Sequence, residues 1–288
     1  MPLDIFLAII VLVSLVLASI HDIKTHEVPD WLNFSLIAIG LSSRLIYSII
    51  TTEYSYFIFG IIGALSMFLL GTLLYQTKQW GGGDAKLLIA LGAIFATNPE
   101  FVPSSPIPFL VTLVINILLI GAVYGSLFSI YLIIRNRNKF YHEIKILLKQ
   151  NNVIFVQKLI LTLSLFIILI SLFNQDRDTK FILISLLVFI IIYTYFWIII
   201  KAVENACMHA SISPNKLVEG DWLADDIIIN KKVIYSKHSP TLEKKDIEKL
   251  KKLNIKSVSI KQGIPFVPSF LFGTIITLLG FNIFNILL

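Results

Sequence analysis

The chain is 288 residues long, 56% hydrophobic and only 15% charged, with a mean hydropathy of +0.83. These values exclude an ordinary soluble enzyme and predict an all-α polytopic membrane protein whose charges fall between apolar runs. The net charge of +6 reads as loop lysines and arginines that set topology, so a lipid membrane and no nucleic acid is the expected environment. The single cysteine, Cys207, excludes an intramolecular disulfide and a cysteine-cluster zinc site, and the five histidines are scattered. No metal and no cofactor is expected.

In chain order, apolar runs at 3–20, 31–50, 56–75, 85–96, 107–134, 153–173, 181–200 and 266–288 predict about eight transmembrane helices. The first carries Asp4 where a signal peptide has basic residues and ends without an A-x-A site, which reads as a permanent helix. The fourth reaches only about 18 Å at 1.5 Å per residue, against a hydrocarbon core of about 30 Å. That length suits a site sunk below the membrane surface. With the N-terminus outside, 21 of the 24 basic residues fall on the cytoplasmic side, leaving Arg44, Arg177 and Lys180 outside. The loop 135–152 and the polar segment 202–263 are then cytoplasmic.

The boundaries expected are a membrane domain over 1–201 with its core in 1–135, a small cytoplasmic α+β module over 202–263, and a last transmembrane helix over 264–288. Within the module, Asp226 to Tyr235 reads as a hairpin turning near Asn230-Lys231-Lys232. Ser239-Pro240-Thr241 offers cap chemistry for a helix to about Leu253 with Leu242, Ile247 and Leu250 as its apolar stripe, and Lys256 to Ile260 reads as a strand. Asp221, Asp225 and Asp226 cluster without further coordinating groups.

Ionisable residues are otherwise kept out of the apolar runs, and an aspartate carried to the bilayer centre costs about 3 kcal/mol. Two aspartates stand at helix ends: Asp22, closing the first run, and Asp84, behind three glycines in Gly81-Gly82-Gly83-Asp84-Ala85-Lys86-Leu87-Leu88. Each alone is an ordinary helix-end acid. The topology above places both at the cytoplasmic face, and two carboxylates sharing a proton are what aspartic proteolysis requires. Gly81 and Gly83 would let an extended peptide approach the backbone and permit a turn that other residues resist. Lys86 either tunes the pair or extends to the interface. Asp30 reads as the N-cap of the second helix or a partner of the pair.

Asp22-Ile23-Lys24 followed by Val28-Pro29-Asp30-Trp31-Leu32-Asn33 resembles the first active-site motif of type IV prepilin and preflagellin peptidases. The Gly81 to Leu88 stretch resembles their second, the GxGD signature with its trailing lysine, and Ile264 to Phe270 is similar to their C-terminal Pro-Phe-Pro segment. The resemblance implies a membrane aspartic endopeptidase with Asp22 and Asp84 as catalytic dyad and pilin-like or archaellin-like precursors as substrates, cut near the cytoplasmic face to release a short basic leader. The cysteine-cluster segment of methylating bacterial members is absent, which points to the archaeal style and to no methyltransferase activity. The run Glu219 to Asp226 is similar to an additional C-terminal domain of some archaeal members. Two alternatives stay open: a presenilin- or signal-peptide-peptidase-like protease, and a proton-coupled secondary transporter using the two aspartates.

Overall fold

The structure, a computed structural model, describes residues 2–282 except 78, 174–175, 218–219, 230–231, 237–241, 253–254 and 256. The proposed hairpin turn at Asn230-Lys231, the cap at Ser239 to Thr241, and Glu219 and Lys256 lie outside the described residues. The chain divides into two compact units, one of residues 1–126 and 263–288, the other of residues 127–262.

The first unit contains α1 (Pro2–Thr25), α2 (Asp30–Thr51), α3 (Ser55–Gln76), α4 (Gly82–Ile94), most of α5 (Phe109–Arg135) and α10 (Val267–Leu278). The second contains α6 (Arg137–Leu148), α7 (Asn151–Phe173), α8 (Arg177–Cys207), α9 (Lys244–Lys252) and all the strands. Among the described residues, six helices, α1, α2, α3, α5, α7 and α8, are long and apolar enough to cross a membrane. All eight expected apolar helices form, with α4 and α10 too short to span. The protein is a multi-pass, mostly helical membrane protein with a small sheet-containing region towards its C-terminus.

In the first unit α4 is the centre. Leu87, Leu88, Ala90, Leu91 and Ala93 are all fully buried, because α2 and α3 wrap the short helix closely. A Cβ on Gly63 would lie 2.3 Å from the Gly92 carbonyl oxygen, so these two helices touch backbone to backbone. Arg44 lies within α2 and is 1% exposed; it is no loop charge. Its guanidinium donates to the Ile94 carbonyl at 2.6 Å, to Thr97 Oγ1 at 3.0 Å and to the Tyr56 carbonyl at 3.0 Å. The same group lies 4.2 Å from the Tyr56 ring centroid, and the Tyr56 hydroxyl donates to Asp4 Oδ1 at 3.0 Å. Arg44 thereby caps the carbonyl end of α4, where a cation is favoured.

The last helix is shorter than the 266–288 expectation. Gly280 takes φ 82°, and the Phe281 and Gly280 amides bond back to the Ile276 and Thr277 carbonyls at 3.1 and 2.9 Å. That double closure on a left-handed glycine ends α10.

The second unit holds a three-stranded antiparallel sheet, order β1-β5-β2, of β1 (His209–Ile212), β2 (Trp222–Leu223) and β5 (Val258–Lys261). A separate hairpin pairs β3 (Ile227–Ile229) with β4 (Lys232–Tyr235). Leu242, Ile247 and Leu250, the stripe expected of α9, form a core with Val258 and Ile260 of β5, although Leu242 lies just before that helix. The stretch 135–152, expected as a loop, instead carries α6. Phe140, Ile144 and Leu147 recur at helical spacing among its lysines and pack on Ala202 and Val203 of α8.

Replacing Gly63 with Ala should push α3 off α4 and cost about 1–3 kcal/mol, as overpacking does. Gly125→Ala, where the new Cβ meets nothing within 4 Å, should leave the melting temperature in detergent unchanged or slightly raised.

Candidate active site

Asp22 continues the buried face of α1. Leu7, Val11, Leu15 and Ala18 are buried at helical spacing, and Asp22, four residues further on, is 5% exposed. The helix then ends as His26, at φ 57°, donates its amide to the Asp22 carbonyl at 2.7 Å. A buried carboxylate needs donors, and Asp22 finds one far along the chain: the Val267 amide at the start of α10 donates to Asp22 Oδ2 at 2.9 Å. The amino end of a helix favours an anion. The approach of α10 is fixed by an aromatic cluster, with Trp80 5.4 Å from Phe266 and 5.2 Å from Phe270 between ring centroids.

Asp84 is half-buried in the first turn of α4, and its Oδ2 accepts from the Gly81 amide at 3.1 Å. The acid thus closes the start of its own helix, the reciprocal half of a capping box. Asp22 lies within electrostatic reach of Asp84 and of Tyr124 of α5.

The glycines differ from the expectation. Gly81 sits at φ −72°, ψ 161°, ordinary extended backbone, and positive φ among the described glycines occurs only at Gly220 and Gly280. No left-handed turn is needed. Gly83 is closely packed instead: a Cβ there would meet Val28 Cβ at 3.0 Å and the Val28 amide nitrogen at 3.3 Å, so Val28 would have to give way by a few tenths of an ångström. At Gly82 the nearest atom, in Tyr75, would be at an ordinary 3.7 Å.

Asp30 is also placed differently. Pro29, with ψ 133°, is the N-cap of α2, and Asp30 is its first helical residue. The Asp30 carboxylate accepts from Lys86 Nζ at 2.6 Å. Asn33, fully buried, donates to the Gly83 carbonyl at 3.3 Å. Asn33 and Val267 fell within the quoted motifs without a role of their own, and Trp80 and Tyr124 were not singled out by the sequence. Trp80 carried the only signal, a large aromatic in the polar stretch before the glycines. Among the described residues no group of three His, Cys, Asp or Glu is placed to hold a metal ion.

Residues 9–130 match the Type IV leader peptidase family. That segment contains both aspartates, and the resemblance read from the two motifs is borne out. The prepilin peptidase EppA of Methanothermobacter thermautotrophicus is 27% identical over 172 residues, 56% of this chain and 45% of that one. The preflagellin peptidases of Methanocaldococcus jannaschii and Methanococcus maripaludis are each 35% identical, over 82 and 81 residues, 28% of this chain and 35% of theirs. The matches thus span less than half the length of these leader peptidase relatives.

Gly83→Val should force Val28 and the start of α4 apart, lowering the melting temperature by several degrees, at about 2–4 °C per kcal/mol for a protein of this size. Gly82→Ala should leave it within about 1 °C.

Proposed function

We propose that the protein is a membrane aspartic endopeptidase that removes the short basic leader from prepilin- or preflagellin-like precursors, with Asp22 and Asp84 as its dyad. What supports this reading is that Asp22, at the end of α1, and Asp84, at the start of α4, lie within electrostatic reach of each other inside the segment that matches the leader peptidase family. The relatives' names supply the substrate class. With α4 and the stretch 95–108 after it taken together as one crossing, the distribution of lysine and arginine supports cleavage at the cytoplasmic face with the N-terminus outside.

The chemistry follows from how each acid is held. Asp22 faces the amino end of α10 and is the better placed to carry the negative charge. Its free oxygen takes a proton from a water as that water attacks the scissile carbonyl carbon. Asp84, carrying the shared proton, donates a hydrogen bond to the carbonyl oxygen and stabilises the charge that develops there. The tetrahedral intermediate collapses as the proton gained by Asp22 passes to the leaving amine, which breaks the C–N bond. The released segment departs with a free amino terminus. The pair titrates as one unit.

A proton-coupled transporter would hold its acids near mid-depth. Here both stand within a turn of a helix end.

Co-expression with an archaeal preflagellin, scored by loss of the leader on gels, tests the reading. Asp22→Asn and Asp84→Asn should each reduce cleavage by at least about 100-fold while the protein remains membrane-inserted. Substantial cleavage by either variant would exclude the dyad.

A further inference from the structure

The trailing lysine of the second motif and the Pro-Asp step of the first meet in space. Lys86 Nζ lies 2.6 Å from Asp30 Oδ1 and 5.6 Å from the centroid of the Phe34 ring. Asp30 and Phe34 are four residues apart on α2, hence on one face, and together they receive the ammonium with a carboxylate and a ring. On α4, Lys86 follows Asp84 by two residues, about 200° around the helix. When the acid faces Asp22, the lysine therefore faces away from the dyad and towards the start of α2.

Two further contacts tie the same segments. Val28 closes against Gly83, and Asn33 donates to the Gly83 carbonyl at 3.3 Å. The stretch from Val28 to Phe34 follows immediately on the helix end that carries Asp22. Whatever fixes this stretch to the first turn of α4 also fixes Asp84 relative to Asp22.

We infer that Lys86 is a positioning residue: its ion pair with Asp30 is a latch that registers the first turn of α4, and with it Asp84, against the α1–α2 connection. This rests on the dyad reading above. Both partners are partly exposed, 38% for Lys86 and 61% for Asp30, so the pair contributes little to global stability. Its effect is geometric. A displacement of about 1 Å between reacting groups costs on the order of 100-fold in rate, so a modest shift of one turn would be felt in kcat.

The test is a charge exchange in the full-length protein in detergent, with rates normalised to monodisperse protein. Asp30→Lys and Lys86→Asp should each lower kcat by about 10-fold or more with KM unchanged. The double variant, which restores an opposite-charge pair in reverse order, should recover to within about threefold of the starting enzyme. A double variant as inactive as Lys86→Asp alone would overturn the latch and give Lys86 a direct catalytic role. Unchanged kcat in both single variants would overturn it as well.

A melting cycle separates this claim from the proposed activity. Asp30→Ala and Lys86→Ala should be non-additive at low salt, the double variant melting no lower than the worse single one, with the coupling lost at high salt. Additive losses would refute the pair even if the enzyme cleaves. If the unmodified protein cleaves no precursor, the activity reading fails, and the melting cycle still decides the pair.

Discussion

A helix that ends inside an apolar environment leaves amide and carbonyl groups with no water to satisfy them, so the protein itself must do so. The helix α4, at 13 residues, is about 20 Å long and ends short of a full crossing. Its amino end is closed by Asp84 on the Gly81 amide and its carbonyl end by Arg44 on Ile94. The site follows from that constraint. The carboxylate that closes this helix start also lies within electrostatic reach of Asp22, itself held by the amide that opens α10. Two of these closures, Asp84 on the Gly81 amide and the Val267 amide on Asp22, lie at the same end of α4, and Arg44 closes the other.

The same constraint explains why the surrounding helices are lined with small residues. For a half-span helix to be enclosed, its neighbours must approach closely, and α3 does so through Gly60, Gly63 and Gly71. In the proposed mechanism rigidity in this shell matters, because a pair of carboxylates sharing a proton would have to keep their separation through the reaction. Arg44, stacked on Tyr56 and tied through it to Asp4, braces the far end of α4 while Asn33, Asp30 and Val28 hold the near end.

Much of this was legible in the sequence. The apolar runs gave the helices, Asp22 stood out at the end of the first of them, and the glycines before Asp84 marked a helix start. What could not be read was long-range. The donor to Asp22 is a backbone amide 245 residues away, and main-chain amides leave no trace in residue identity. Arg44 looked like a loop charge because nothing local reveals that it turns inward to a helix end. The α6 helix was hidden because a few apolar residues at helical spacing sit among many charges, which reads as solvated loop. The glycines were assigned to peptide approach and to turn geometry; the turn proves to be ordinary backbone, and the close approach of Val28 to Gly83 is a contact visible only after the elements are packed.

The central claim is that the end of α1 and the start of α4 bring Asp22 and Asp84 face to face. Cysteine cross-linking measures this without reference to activity. In a Cys207→Ser background, Asp22→Cys and Asp84→Cys combined should form an intramolecular disulfide readily under mild oxidation, because side chains that share a proton lie within disulfide reach. Asp22→Cys combined with Thr97→Cys, at the opposite end of α4, should not. Failure of the 22–84 pair to cross-link in folded protein, or equal cross-linking of both pairs, would contradict the account.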